Sequence, residues 1–389
     1  MSEWKEYKLG EIADVQTGPF GSQLHQSDYV SVGVPSIMPL NIGNRMDIST
    51  DKIAYITEED ATRLARYRVK EGDIVYSRRG DVEKCAYIKE KESGWLCGTG
   101  CLRIRIDSKK ADSKFVAYYL STDEMKIWIS NNAVGTTMPN LNSSILQQVP
   151  LSLPSIEEQR RIASILTSLD DKIDLLRREN ATLEAMAETL FRQWFVEEAK
   201  EDVMIGDVVK TTSGGTPSRK QSEYYENGTI CWVKSKELDG SFISSTEELI
   251  TEEAVAKSSA KMLPEKSVLI AMYGATVGEY GILSKPMTCN QAVCALIPNE
   301  NYPFTYLFVW TATMKQEFIN LATGAAQQNI SQDLIKQQYV CGDVERIKEY
   351  DNRVRSIFDK MENNQQQIQT LIQTRDGLLP RLMSNEIKL

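Results

Sequence analysis

Two segments of the chain carry apolar residues at a helical spacing over an unusual length. The first runs from Ser155 to about Lys200 and contains neither glycine nor proline. Its apolar positions recur at alternating gaps of four and three residues, the spacing of a coiled-coil seam. They are Ile162, Leu166, Leu169, Ile173, Leu176, Leu183, Ala187, Leu190 and Trp194. Ser155 with Glu158 predicts a capping box at the start of this helix.

The second segment begins near Val344 and predicts a similar helix. Its seam positions are Val354, Ile357, Met361, Asn364, Ile368, Leu371, Arg375, Leu378 and Leu382. Each helix would have on the order of 40 residues and a length of roughly 60 Å. Each seam contains one asparagine, Asn180 and Asn364, and a buried polar group there fixes the register of a coiled coil. Antiparallel pairing would bring the two asparagines together; alternatively, one or both face water.

The rest of the sequence alternates short β-type runs with Gly- and Pro-containing turns, which predicts two mixed α/β globular domains. Strands are predicted at residues 74–76, 102–106 and 268–272, and helices at 115–130 and 304–322. We therefore predict an α+β protein in which two α/β domains are joined by two long helices that form an antiparallel coiled coil. The predicted segments are domains at residues 1–154 and 201–343, and helical spacers at residues 155–200 and 344–389.

The two halves of the chain resemble each other, which predicts a pseudo-two-fold internal repeat. LGEI at residues 9–12 matches IGDV at residues 205–208, an offset of 196 residues. Asn140-Leu141 matches Asn329-Ile330, an offset of 189 residues. Between them, DIVY followed by Gly80 matches SVLI followed by Gly274. The constant order and slow drift of the offset indicate a duplication with small loop deletions.

Composition and charge indicate a globular, cytoplasmic protein without a membrane span. No apolar run approaches roughly 18 residues, and the N-terminal segment is charged where a signal peptide has an apolar core. The seven cysteines and the single His25 suit reduced core thiols better than a zinc site. The net charge is −9, but residues 63–110 carry 13 basic and 7 acidic side chains. A basic region can neutralise phosphates on an acidic protein, although a solvated surface explains it equally well.

The motifs of several enzyme classes are absent from the sequence. An adenine methyltransferase needs an Asn/Asp-Pro-Pro-Tyr/Phe motif, and a translocase needs a phosphate-binding Gly-x4-Gly-Lys-Ser/Thr loop. His25 could serve a Ser/His/Asp triad only from a loop-like stretch. We therefore expect a non-catalytic binding protein with no cofactor or metal of its own.

Several motifs resemble those of specificity subunits of Type I restriction–modification enzymes. The resemblance covers the whole chain in order and rests on VPLSLPSIEEQRRIA at residues 149–163, GGTPS at 214–218, Tyr224-Tyr225, Gly228-x-Ile230-x-Trp232, GATVG at 274–278, Asn290-Gln291, LFRQWF at 190–195 and LLPRLMS at 378–384. Two places depart from the pattern. The second junction, residues 338–345, lacks the Leu-Pro and Glu-Gln signature, and the first domain has GPFGS at residues 18–22 in place of GGTPS.

The resemblance implies that each globular domain is a target-recognition domain for one half of a bipartite site in double-stranded DNA. It also implies that the paired helices set the unread spacer. Two modification subunits, which hold S-adenosylmethionine and methylate adenine, would bind the helices, and restriction–translocase subunits would join for cleavage. Because the two domains differ in their turn sequences, we expect them to read different half-sites.

Candidate DNA-binding residues are those whose side chains suit base edges or phosphates and which lie in predicted turns. Arginine suits guanine, whereas asparagine and glutamine suit adenine. Ion pairs, phosphate contacts or turn and cap roles would explain the same residues. The candidates are Arg78, Arg79, Lys84, Thr136, Thr137 and Asn140 in the first half, and Thr216, Arg219, Lys220, Lys234, Tyr273, Thr276, Gln327, Gln328 and Asn329 in the second.

A coiled-coil scaffold that joins proteins without binding nucleic acid is the alternative function. The repeat and the two seams fit it equally well. The basic region and the family motifs favour DNA recognition.

Overall fold

The computed structural model describes residues 4–135, 139–197, 202–322 and 329–387. The chain divides into two compact units. The first unit comprises Met1–Asp171 and Ile372–Leu389, and the second comprises Lys172–Leu371. Among the described residues, no helix is both long enough and apolar enough to cross a membrane.

The two long helices span Ile156–Phe191 and Val344–Met383. The Ser155 hydroxyl accepts a hydrogen bond from the Glu158 amide at 3.3 Å and so caps the first of them. That helix continues as a π-helical stretch over Arg192–Glu197. The second helix begins at the predicted residue although its junction lacks the family signature. No side chain of either predicted seam is exposed, so the apolar period falls on buried helix faces.

Within the second unit, the two helices pair residues in opposite order along the chain. Asn180 contacts Asn364. Two turns further along the first helix, the Ala187 carbonyl accepts a hydrogen bond from the Tyr350 hydroxyl at 3.1 Å. In the first unit, Arg375 lies 2.8 Å from Asp170. Within the second unit, the contact therefore moves backward along the second helix as it moves forward along the first.

Three sheets form the first unit. The first is the clasp, a pair of antiparallel strands from the first and last segments of the globular part. The segments that come between these strands in the sequence form two four-stranded sheets. In sheet order, the strands are Lys5–Lys8 and Pro150–Leu153; Ala13–Thr17, Cys101–Ile106, Ile74–Ser77 and Cys85–Tyr87; and Tyr29–Val30, Ala54–Ile56, Val34–Ile37 and Leu96–Cys97. The shorter helices are Leu9–Ile12, Glu58–Arg63, Ser113–Leu120, Asp123–Asn132 and Ser143–Gln147.

The second unit has the same order of elements, although its two larger sheets have five and three strands instead of four each. Its strands, in sheet order, are Asp202–Met204 and Tyr339–Cys341; Lys210–Ser213, Val293–Ile297, Val268–Ala271, Tyr280–Leu283 and Phe242–Ile243; and Leu249–Ile250, Ile230–Val233 and Thr288–Cys289. Its shorter helices are Ile205–Val208, Glu252–Lys257, Phe304–Leu321 and Gln332–Lys336. Clasp, first short helix, central antiparallel strands and final short helix follow in the same order as in the first unit. The internal repeat is therefore confirmed at the level of topology.

The prediction that one helix of the first unit is continuous is wrong. The sequence predicts a single helix over residues 115–130, but Ser113–Leu120 and Asp123–Asn132 are separate helices. Thr122 interrupts them because its hydroxyl accepts a hydrogen bond from the Met125 amide and caps the second helix. The matching helix of the second unit, Phe304–Leu321, is continuous as predicted.

The central strands bury apolar side chains against these helices in both units. Ile74, Tyr76, Leu102 and Phe115 share one core, together with Leu166 of the first long helix. The corresponding core of the second unit also extends onto the long helices. All seven cysteines are free thiols, and six of them are buried. Burial raises the pKa of Cys97 to about 12, so this thiol stays protonated.

Candidate nucleic-acid interface

In the first unit, the hairpin loop, residues 78–84, connects two central strands and carries three of the predicted cations. The Arg78 amide donates to the Gly100 carbonyl at 2.8 Å, and the Arg78 carbonyl accepts from the Leu141 amide at 2.8 Å. Arg79 forms an antiparallel bridge with Asn140. Gly80 has a φ of +75°, a left-handed conformation that favours glycine. The main chain of this loop is therefore held on both sides.

The hairpin loop of the second unit, residues 272–279, has the same main-chain frame. The Met272 amide donates to the Ala292 carbonyl at 2.8 Å, and its carbonyl accepts from the Ile330 amide at 3.0 Å. Tyr273 forms an antiparallel bridge with Asn329. Gly274 has a φ of +71°. The candidates Arg79 and Tyr273 thus occupy equivalent positions, as do Asn140 and Asn329.

The side chains on this common frame differ in charge. Arg78, Arg79 and Lys84 of the first unit correspond to Met272, Tyr273 and Glu279 of the second. Lys84 forms an ion pair with Asp81 at 2.7 Å. Among the described residues, Arg78 and Arg79 have no carboxylate partner, and Arg79 is exposed. The first hairpin loop therefore presents the unpaired, positively charged side chain of Arg79 to solvent. In the second hairpin loop, Glu279 is paired with Lys315 at 2.8 Å.

Asn140 and Asn329 are strand-bridge residues that precede the cap of a short helix by two positions. The caps of those helices are Asn142 and Ser331, whose side chains accept from Ile145 and Leu334 amides at 2.9 Å and 3.2 Å. The side-chain amides of Asn140 and Asn329 make no hydrogen bond within the described parts of the chain. They remain available to a ligand at the edge of each hairpin loop.

The glycine loop of the second unit, residues 214–218, lies against the return turn, residues 290–292. A Cβ at Gly214 would lie 2.4 Å from the Asn290 carbonyl oxygen, so no larger residue fits this approach. The hydroxyl of Thr216 is hydrogen-bonded to the side chain of Gln291. This contact joins a predicted DNA-binding residue to one half of the Asn290-Gln291 motif.

Arg219 and Lys234 converge on one carboxylate that the sequence reasoning missed. Glu248 accepts from Arg219 at 2.6 Å and from Lys234 at 2.6 Å. The Lys234 ammonium, and next the Arg219 guanidinium, lower the pKa of Glu248 against the opposing effect of burial. The Arg219 guanidinium also stacks over Tyr225 at 4.3 Å and Trp232 at 5.2 Å. Residue spacing gives no signal for this cluster, because its members come from three separate segments.

The remaining candidates are placed as follows. Lys220 is exposed, and it has no ion-pair partner in the described ranges. The Thr276 hydroxyl donates to the Tyr273 carbonyl at 3.1 Å and so stabilises its own turn. Thr136, Thr137, Gln327 and Gln328 lie outside the described residues.

The glycine loop of the first unit, residues 18–22, makes the matching approach to its own return turn, residues 98–100. A Cβ at Gly18 would lie 2.2 Å from the Gly98 carbonyl oxygen. The Thr99 hydroxyl donates to the Pro19 carbonyl at 3.1 Å. In each unit, the glycine loop, the return turn, the hairpin loop and one asparagine are therefore connected by direct contacts.

The model of the Type I restriction modification DNA specificity domain matches residues 1–185 and, a second time, residues 197–341. The chain belongs to this family. Each match covers one of the two globular parts that share one topology, and the first match also extends along most of the first long helix. DNA sequence recognition is accordingly the function of this Type I specificity protein, and the scaffold alternative finds no support.

Relatives along the whole length carry the same description. The MjaIX specificity subunit of Methanocaldococcus jannaschii is 24% identical over 99% of this chain and 94% of its own. The HindI specificity subunit of Haemophilus influenzae is 24% identical over the full length of both chains. A crystal structure of the Type I S subunit from M. genitalium superposes with a TM-score of 0.59 over 98% of this chain and 96% of its own, at 15% identity. That structure supports the fold of the specificity protein.

Proposed function

We propose that each globular domain reads one half of a bipartite duplex target through its hairpin loop, glycine loop and flanking asparagine. The observation that carries this proposal is the common main-chain frame of the two hairpin loops. Hydrogen bonds to Gly100 and Leu141 in the first unit recur at Ala292 and Ile330 in the second. A frame made of main-chain bonds keeps the loop in place whatever its side chains are. Different side chains on one frame suit two different half-sites.

In the first domain, Arg79 is the residue best placed to contact a base. Arginine donates two parallel hydrogen bonds to O6 and N7 of guanine in the major groove. Its unpaired guanidinium does not have to break an ion pair before it binds. Asn140, its bridge partner, has a free amide that suits adenine. The first half-site would therefore contain guanine, with an adenine beside it.

In the second domain, the cations lie on the glycine-loop side. Arg219 is exposed and forms an ion pair with Glu248. Lys234 pairs with the same carboxylate, and its side chain is only 17% exposed. These residues suit phosphate contacts that position the domain, because a phosphate can replace Glu248 as their partner. Lys220 is free to add a further phosphate contact.

The long helices would set the distance between the half-sites as an antiparallel coiled coil. The pairs Asn180 with Asn364, and Asp170 with Arg375, support this pairing within the second and the first unit, respectively. Two modification subunits that hold S-adenosylmethionine would bind the chain and methylate adenine, and restriction–translocase subunits would join them for cleavage. The site of action would be cytoplasmic DNA.

The test is a footprint of the chain co-purified with its modification subunits on a duplex that carries the methylated site mapped in a host genome. We expect two protected segments separated by an unprotected spacer. Arg79→Ala should weaken protection of one segment and Arg219→Ala that of the other. A single contiguous footprint, or loss of both segments in each variant, would contradict the assignment of one half-site to each domain.

A further inference from the structure

Two large apolar side chains of the first unit project into solvent beside the hairpin loop. Phe20 is 58% exposed and Leu40 is 67% exposed. Phe20 belongs to the glycine loop, and Leu40 lies in the single-turn 3-10 helix Pro39–Asn41. Exposed apolar residues scattered singly are ordinary, whereas neighbouring ones can mark a contact surface.

The return turn, residues 98–100, connects both of these side chains to the arginines. The Thr99 hydroxyl bonds the carbonyl of Pro19, the neighbour of Phe20. A Cβ at Gly100 would lie 3.1 Å from Pro39, the neighbour of Leu40. The Gly100 carbonyl accepts from the Arg78 amide. The segments that carry Phe20, Leu40 and the two arginines therefore all contact one turn.

The equivalent positions of the second unit are polar or charged. Counting from the glycine that approaches the return turn, Phe20 corresponds to Thr216. The 3-10 helix Ser235–Glu237 is held like Pro39–Asn41: the Lys234 amide donates to Glu237 at 2.8 Å, and the Met38 amide donates to Asn41 at 3.0 Å. Leu40 therefore corresponds to Lys236. In the first domain, the cations lie on the hairpin loop and the apolar groups lie on the glycine loop and the 3-10 helix. In the second domain, the glycine loop and the 3-10 helix carry polar and charged side chains instead.

We propose that Phe20 and Leu40 contact thymine methyl groups in the half-site read by the first domain. The inference rests on the proposed function, because it takes duplex DNA as the ligand of this face. An arginine that reads guanine edges lies in the major groove, and segments that contact the same turn lie close to that groove. The thymine C5-methyl is the apolar group displayed there, and phenylalanine is a known type of partner for it. The second domain has no large apolar side chain at these positions, because Thr216 is hydrogen-bonded to Gln291 and Lys236 is paired with Glu247.

Deoxyuridine substitution tests this assignment, because it removes the methyl group and leaves base pairing and charge unchanged. Binding of the co-purified complex is measured on the mapped target duplex with thymines of one half-site replaced by deoxyuridine. Replacement in the first domain's half-site should weaken binding about four-fold per contacted methyl group, the effect of exposing one buried carbon. The Phe20→Ala/Leu40→Ala variant should bind more weakly and should no longer respond to deoxyuridine. Phe20→Leu, which keeps an apolar side chain, should retain most of the response.

Val32→Ala is the matched control, since Val32 is 84% exposed but does not flank the return turn. It should bind as the wild type does. The inference is overturned if deoxyuridine has no effect on wild-type binding, if the double variant still responds to it, or if the first half-site contains no A·T pair. If the wild-type complex fails to protect two segments, the proposed function fails instead. Arg79→Ala separates the two cases, because it weakens binding whether or not the methyl contact exists.

Discussion

The side-chain amide of Asn364 donates to the Oδ1 of Asn180 across 2.9 Å on the buried face of the second unit's helix pair. The same amide donates to Glu179 at 3.0 Å, and the Asn180 amide donates to the Met361 carbonyl at 3.2 Å. The Oδ1 of Asn364 is buried without a partner. A polar pair of this kind costs stability but excludes other registers, because a shift along either helix would leave both amides unpaired.

Removal of one member of this pair should destabilise the protein, and removal of both should not. Asn364→Ala leaves the Oδ1 of Asn180 without its hydrogen-bond donor and should lower the free energy of unfolding by about 1–3 kcal/mol. Asn180→Leu/Asn364→Leu should recover that loss or exceed it. Urea denaturation followed by circular dichroism measures both. Asn363→Ala, on the exposed face one residue away, is the control and should change stability by less than about 0.5 kcal/mol. A double variant with a lower free energy of unfolding than Asn364→Ala would contradict this account.

Glu184 should make the protein less stable at neutral pH than in mild acid. Burial raises its pKa above the usual 4.5, against the opposing hydrogen bond from Tyr280. The folded state therefore holds the proton more tightly, and stability falls as pH rises above 4.5 through the raised pKa. Glu184→Gln should raise the melting temperature by roughly 2 °C at pH 7 and have no such effect below pH 4.5. The exposed Glu226→Gln should show no comparable difference between the two pH values.

Arg79→Ala should reduce specific binding by about 1–3 kcal/mol and relax discrimination at one base pair. Fluorescence anisotropy with the target duplex and with single-base variants of it measures both quantities. Lys91→Ala is a suitable control, because Lys91 is exposed and already paired with Glu92 at 3.3 Å. Uniform weakening on every sequence would instead make Arg79 a phosphate contact.

Glu248→Gln should strengthen binding at the second half-site. It releases Arg219 and Lys234 from a shared carboxylate, so both become available to phosphates. The slope of log K against log salt should steepen by about one unit per cation newly engaged. Glu253→Gln is the control, since it frees Lys257 on a different segment. An unchanged slope for Glu248→Gln would mean that neither cation contacts the DNA backbone.

Insertions in the long helices should change the length of the unread spacer between the half-sites by an amount that depends on the number of residues added. Four residues added to the first helix break the heptad register and should abolish activity or change the spacer. Seven residues added to both helices preserve the seams and add about 10 Å, or about three base pairs. Mapping the methylated sites of each variant in cells measures the spacer. Unchanged spacing with full activity in both variants would eliminate the helices as a ruler.

The helices, the repeat and the family were readable from the sequence because each leaves a periodic or ordered signal. The heptad gaps correctly predicted helix faces with no exposed side chain over residues 162–194 and 354–382. The break at Thr122 was missed because a hydroxyl cap overrides a pattern that is otherwise continuous. The Arg219–Glu248–Lys234 cluster was missed for a different reason. Lys234 and Glu248 flank two strands that pair with each other, and Arg219 lies in a separate turn, so their meeting depends on tertiary structure. The sequence located the hairpin loops, but the shared hydrogen-bond frame required coordinates.

The strand clasp of each unit has a consequence for how such proteins can change. Lys5–Lys8 pairs with Pro150–Leu153, and Asp202–Met204 pairs with Tyr339–Cys341. The chain therefore enters and leaves each globular part at neighbouring points, as it does in an inserted domain. A segment with this geometry can be exchanged as a cassette without altering the helices on which it is mounted. Exchange of the segment between the two strands of a clasp would change one recognition domain in a single step, whereas point substitutions on the loops would alter an existing domain gradually.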